Sequence, residues 1–306
     1  MRSVMSHGWN CTTVRKSCIP VSLSNFLQVI TSLRVVDMLY QSQQVQVCSL
    51  ICSLPCLEDL YISVSMAGDL SCGGDTVAYP FTRPPLTGTL KLHQFRGIEH
   101  FIPRLIDLLK GIRFRKLEWW GSEWNTQQSA ILLDACSSTL EDIYVWPPMG
   151  GTLRLRSCCA TGTRLKPVSR LGNPPASSID FSKATKLKKI SLRSSTPSIV
   201  WTTMALNTIT LEHKDLREIS IHIHFSPISS FIRSPAIPEK AAGDEVYRWW
   251  MDLDHLLVRL CESHGVGVMV RYYYYSNKKE EVLRFLEGAL PETMKRESTT
   301  LDCAVA

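Results

Sequence analysis

The chain has 306 residues, 44% hydrophobic and 20% charged, with a formal net charge of +6; this is the balance of a folded globular chain and excludes disorder as its default state. No run approaches the roughly 20 consecutive apolar residues that cross a bilayer, and the opening "MRSVMSHGWNCTTVRKSC" lacks the apolar core of a secretory signal. The expected setting is reducing, cytoplasmic or nuclear, with the eleven scattered cysteines as thiols and not as a disulfide framework.

Residues 1–22 are expected as an irregular N-terminal segment. From residue 23 one phrase recurs: an apolar residue, two mostly polar ones, then an alternating apolar run. Its copies start at Leu33, Leu57, Leu140, Leu187 and Leu216, with weaker ones at Thr87 and Phe114. The second apolar position of each serves as an anchor. Anchors fall at Val36, Leu60, Leu90, Leu117, Ile143, Ile190 and Ile219, giving intervals of 24, 30, 27, 26, 47 and 29 residues. Most lie near the period of leucine-rich repeats, whose signature is L-x-x-L-x-L. Alternation places the anchor and the residue two later on one face of a short strand and the intervening residue on the other. Such a strand cannot bury its apolar row alone, so stacked copies are expected to form a parallel β-sheet with helical or irregular returning segments, an α/β leucine-rich-repeat solenoid.

Between these strands, "VCSLICSLPCLEDLYISV" carries Cys48, Cys52 and Cys56 four apart. One helical face could offer three thiolates to a metal, but a zinc site wants a fourth ligand and matched pairs, and Pro55 interrupts the helix. The cysteines read as small packing residues, and no metal or other cofactor is expected. "IEHFIPRLIDLLKGI" and "WNTQQSAILLDACSSTL" show helical spacing, the second starting at Asn125 or Thr126.

Residues 151–193 hold ten Lys and Arg against the single acid Asp180, so the positive charge is local. An irregular basic insertion at about 151–178 is expected within the repeat domain, rich in Gly, Pro and Ser. The adjacent Cys158 and Cys159 lie in it without a suggested partner base. Nucleic-acid binding through 151–193 is an alternative reading, opposed by the lack of interleaved aromatics or a reading motif.

His222 and His224 share one strand face, expected to be exposed, with Ile221 and Ile223 on the other. From Asp244 the pattern gives a helix to about His264, a break at Gly265, and a strand with Val266, Val268 and Val270 alternating; this closes the repeat domain at residue 275. A closing helix over 276–290 follows, and residues 291–306 are expected as a flexible tail. The last four residues, Cys303-Ala304-Val305-Ala306, match the prenylation pattern.

"SLPCLEDLYISV", "STLEDIYVWPP" and "KATKLKKISLR" resemble the repeat half of fungal F-box and leucine-rich-repeat proteins. That resemblance implies a protein-binding surface, and in a longer form an F-box docking on the Skp1 adaptor of an SCF-type ubiquitin ligase. No F-box phrase precedes Val36. The function this supports is a non-catalytic protein–protein interaction module, with a degenerate remnant lacking any ligase role as the other reading. No G-x-S-x-G elbow, phosphate-cradling loop or H-E-x-x-H motif is present. Exposed strand-face aromatics anchor protein partners, so Tyr61, Trp119, Tyr144, His222 and His224 are the expected binding surface.

Overall fold

The structure is a computed structural model describing residues 3–6, 28–36, 41–63, 85–93, 102–103, 105–107, 111–120, 126–146, 179–195, 199–224, 245–274 and 279–305. These divide into two compact units, residues 1–145 and 146–306.

In the first unit the strands are β1 (Ser3–Ser6), β2 (Ser32–Val35), β3 (Asp59–Ser63), β4 (Thr89–His93), β5 (Lys116–Trp120) and β6 (Asp142–Trp146), whose last residue counts with the second unit. β1 to β5 pair in chain order, every pair parallel. Leu33, Leu60, Leu90 and Leu117 stand in register. With Ile62, Leu92, Trp119, Ile143 and Val145 they are buried, as alternation requires when one sheet face packs against covering segments. The residue three before most anchors is buried too: Ile30, Leu57, Phe114 and Leu140.

The turns into β3, β5 and β6 share one hydrogen-bond device. Glu58 and Asp59 both donate their backbone N–H to the Thr31 carbonyl, at 2.9 and 3.0 Å. Arg115 and Lys116 do the same to Gly88, and Glu141 and Asp142 to Arg115. Each of these acceptors lies two residues before an anchor, so each of these turns ties the incoming strand to the copy before it. The backbones approach closely at Gly88, where a Cβ would meet the Glu58 carbonyl oxygen at 2.6 Å; glycine permits that approach.

The second unit repeats the arrangement with β7 (Lys189–Ser195), β8 (Glu218–His224), β9 (Gly267–Tyr274) and β10 (Thr299–Val305), again parallel in chain order. Ile190, Leu192, Ile219, Ile221, Ile223, Val268, Val270 and Tyr272 are buried. Arg217 and Glu218 donate to the Lys188 carbonyl, the same turn as in the first unit. Both units are thus α/β, built on open parallel sheets.

Among the described residues several returning segments carry helices. In helix α1 (Gln41–Ser53), Val47, Cys48 and Ile51 are buried, and Pro55 follows its end. In α2 (Thr126–Cys136) the buried residues are Ser129, Leu132, Leu133 and Cys136, the three-and-four spacing of one helical face. Residues 102–103 and 105–107 are helical, with Ile102 and Leu105 buried. In the second unit α3 (Ile199–Asn207) packs on β7 and on α4 (Glu245–His264), which packs on β9. Helix α4 ends at Gly265, whose φ of +65° suits a helix C-terminus. After it come α5 (Lys279–Ala289) and the single turn α6 (Pro291–Met294). The edge of the Trp250 ring meets Phe285 at 5.4 Å, joining α4 to α5. Among the described residues no helix is long and apolar enough to cross a membrane.

Three boundaries differ from expectation. The first anchor is Leu33 and not Val36, because Leu33 pairs with Leu60 and Val36 lies beyond the strand. The segment 1–22 is not wholly irregular, since Ser3–Ser6 adds a strand beside β2. The stretch 291–306 is not a flexible tail: α6 and β10 occupy it, and β10 pairs with β9 from Thr299↔Val268 to Val305↔Tyr274. Most of the basic insertion, with Cys158 and Cys159, lies outside the described residues.

Candidate functional site

The sheet face opposite the core is set by two positions in every copy, one and three residues after the anchor. In the first unit the nearer position gives Arg34, Tyr61, Lys91, Glu118 and Tyr144, and the farther gives Ser63, His93, Trp120 and, in the second unit, Trp146. The parallel register aligns them into rows across the strands. Tyr61 and His93 stack with ring centres 6.4 Å apart, His93 and Trp120 tilt together at 5.9 Å, and Trp120 and Tyr144 stack at 5.3 Å. The Arg34 guanidinium lies 4.5 Å from the Tyr61 ring centre, a cation–π contact at the end of the row. All four rings are half-buried.

On this face two lysines share one carboxylate, an excess of positive charge. Glu118 accepts from Lys91 at 2.9 Å and from Lys116 at 3.0 Å. Burial pushes its carboxyl pKa up, but the two lysine hydrogen bonds outweigh that and hold it below the usual value. His93 is lowered by burial, with the Arg34 charge adding to it, so its ring is neutral in the row at neutral pH.

In the second unit the same face, at positions three and five residues after the anchor, brings together Trp146, Arg193, His222, His224, Arg271 and Tyr273. Tyr273 stacks on His224 with ring centres 4.1 Å apart and on His222 at 6.1 Å, while Trp146 covers His224 at 5.8 Å. Arg193 lies over the Trp146 ring and donates to His224 Nδ1 at 2.8 Å. Beside them Arg271 donates to Asp302 of β10 at 2.6 Å. His222 and His224 are each only 7% exposed, which corrects their expected exposure: rings from neighbouring strands cover them, a contact their own strand does not encode.

Burial, then Arg271, Arg193 and Lys189, lower His222 from 6.5 to about 4, with Asp302 opposing. Burial, then Arg193 and His222, lower His224 from 6.5 to about 3. Both rings are neutral at neutral pH, whereas in the unfolded chain they take up protons below about 6.5. The unfolded state therefore binds more protons in that window, and stability is full above pH 6.5 and falls as pH drops toward 4 and then 3. Thermal melts across pH 7 to 4 are expected to show this decline, and the double variant His222→Gln, His224→Gln to show a shallower one. An equal slope in both proteins would contradict the assignment.

Of the expected surface residues, the structure places Tyr61 and Tyr144 on the outward face of the first unit, two strands apart from each other's nearest ring neighbours, and His222 and His224 on that of the second. It does not place Trp119 there. Trp119 is fully buried because it lies two residues after Leu117 and so faces the core; Trp120 occupies the outward position instead. Trp120, Trp146, Arg193 and Tyr273 were missing from the expected set, although carrying the alternation one step past the apolar pair reaches the first three.

Cys48 and Cys52 lie in α1, Cys48 buried and Cys52 half-buried, and Cys56 is exposed beyond the helix end. Among the described residues no group of three or more His, Cys, Asp or Glu is arranged to hold a metal. Cys303 lies in β10 paired with Tyr272, so the cysteine of the prenylation pattern is held in a strand. No protein-family model, curated protein or solved structure matches the chain.

Proposed function

We propose that the chain is a leucine-rich-repeat recognition module, non-catalytic, that binds a protein partner through its outward sheet face. The observation carrying this reading is the ring row Tyr61, His93, Trp120 and Tyr144, half-exposed on successive parallel strands. A face that only met water would need polar side chains there. Large rings held in place by stacking are the residues that contribute most to protein interfaces. The common turn device and the spacing near 27 residues support the solenoid reading.

The resemblance of the repeat phrases to F-box proteins extends the proposal to substrate recognition for an SCF-type ubiquitin ligase, with the Skp1 adaptor held outside the repeats.

The test is affinity capture from a fungal lysate with the wild-type chain and with Tyr61→Ala, Trp120→Ala, Tyr144→Ala combined. Each anchor ring contributes about 2 kcal/mol or more where it is central to an interface, so the variant is expected to lose a protein that the wild type retains while still melting cooperatively. Identical captured sets would refute the reading. Co-purification with Skp1 tests the ligase extension separately.

A further inference from the structure

We propose that the outward face of the second unit binds a carboxylate, the side chain of a glutamate in an acidic segment of a partner, on the Nε2–H of His224 backed by Arg193. The site is separate from the ring row of the first unit. It rests on the reading of the outward face as the partner-binding surface only in taking the carboxylate from a protein.

The proton on His224 is placed by its neighbour. Arg193 donates to His224 Nδ1 at 2.8 Å, and a guanidinium has donors only. Nδ1 therefore presents its lone pair, and the single proton of the neutral ring sits on Nε2. That donor is buried with no hydrogen-bond partner among the described residues, on a side chain only 7% exposed. A donor shut away from water and left unmet is destabilising, and buried polar groups of folded proteins are as a rule met. What complements it is an acceptor. The faces of the imidazole are engaged by Tyr273, with ring centres 4.1 Å apart, and by Trp146 at 5.8 Å, so the acceptor belongs at the ring edge.

Charge selects the kind of acceptor. Arg193, His222 and Arg271 stand in register on β7, β8 and β9, with Asp302 next to them on β10. Lys189 meets Glu218 at 2.6 Å and Arg271 meets Asp302 at 2.6 Å. The described outward positions of these four strands thus carry three cations, Lys189, Arg193 and Arg271, against two carboxylates, Glu218 and Asp302, an excess of one positive charge. Burial first, and Arg193 among the charges, keep both imidazoles uncharged, so His224 donates without adding a charge of its own. A guanidinium at Nδ1 polarises the ring and strengthens Nε2–H as a donor to an anion. An excess of one charge suits a single carboxylate better than a dianionic phosphate. Glutamate brings that carboxylate on a slim apolar stem, which matches the half-exposed rings of Trp146 and Tyr273 beside the donor.

The experiment uses the full chain with isotope-labelled histidine. Long-range proton–nitrogen spectra are expected to show His224 as the Nε2–H tautomer, identified by the loss of its signals in His224→Phe. A capped Gly/Ser peptide with one central glutamate is then titrated by calorimetry beside its glutamine twin and inorganic phosphate. Saturable binding of the glutamate peptide is expected, at least tenfold tighter than binding of the twin or of phosphate. Arg193→Gln keeps a donor for Nδ1 and removes the charge, while His224→Phe keeps a ring and removes the donor. Each, independently, should weaken the glutamate peptide at least tenfold with circular dichroism unchanged. An Nδ1–H tautomer, no saturable binding of the glutamate peptide, equal binding of the twin, equal or tighter binding of phosphate, or binding indifferent to both variants would overturn the proposal. If the glutamate peptide fails while the triple variant at Tyr61, Trp120 and Tyr144 still loses its captured protein, this inference falls and the reading of the outward face stands.

Discussion

Trp119→Ala is expected to destabilise the first unit by about 3–5 kcal/mol, the range for deleting a buried aromatic side chain. The ring is fully buried and stands in register with Leu92, inside a sheet core where neighbours close the vacated volume only in part. For a unit of this size that corresponds to a fall in melting temperature of about 10 °C, a large share of the roughly 5–15 kcal/mol that holds a domain folded. The adjacent Trp120→Ala is expected to cost far less, about 0.5–1.5 kcal/mol for its stacked pair with Tyr144 beyond the area it covers. The two variants thus separate the faces: the first is expected to lower the melt, and the second, on the proposed reading of the outward face, to lower partner capture with the melt nearly kept. Thermal melts of both proteins decide it. A larger loss at Trp120 than at Trp119 would mean that the faces are assigned the wrong way round.

That pair also marks where the sequence was legible. Alternation is a local property, so the strands around Leu60, Leu90, Leu117, Ile143, Ile190 and Ile219 could be placed from residue order alone. The same rule assigns Trp119, two residues after Leu117, to the core and not to the exposed face. The first anchor slipped because "LRVV" satisfies two spacings, Leu33 with Val36 and Leu33 with Val35, and only pairing with Leu60 decides between them. Strand β1 is four residues, SVMS, too short to show a period. The burial of His222 and His224 depends on Tyr273, 51 and 49 positions later, and on Trp146 far before them. Register across strands makes those contacts, and no local pattern in "EISIHIH" announces them. The C-terminal strand has its own alternation in Leu301, Cys303 and Val305, yet what holds it in place lies elsewhere in the chain.

Asp254 in α4 is the residue that ties that end down. It is fully buried, and its two carboxylate oxygens accept the backbone N–H of Glu292 at 3.1 Å and of Thr293 at 2.8 Å. These are donors of the first turn of α6, which have no partner within the helix. Thr293, also fully buried, places its hydroxyl at 3.4 Å from the Asp254 carbonyl and accepts from Thr299 through its own carbonyl at 2.8 Å. A chain of contacts thus runs from α4 through α6 to the start of β10. Asp254→Ala leaves the buried Thr293 N–H and the part-buried Glu292 N–H without this acceptor, at about 1–3 kcal/mol for the buried one and less for the other, and is expected to destabilise the second unit by about 2–4 kcal/mol. The loss should begin at the C-terminal end, because α6 and β10 depend on these bonds while β7 to β9 do not. Hydrogen exchange is expected to show early loss of protection at Thr299–Val305, with Ile219–Ile223 protected longer. Asp254→Asn keeps one acceptor oxygen and should fall between wild type and the alanine variant. Protection lost evenly across all four strands would show that α6 and β10 unfold only with the whole unit and that the carboxylate is not their local anchor.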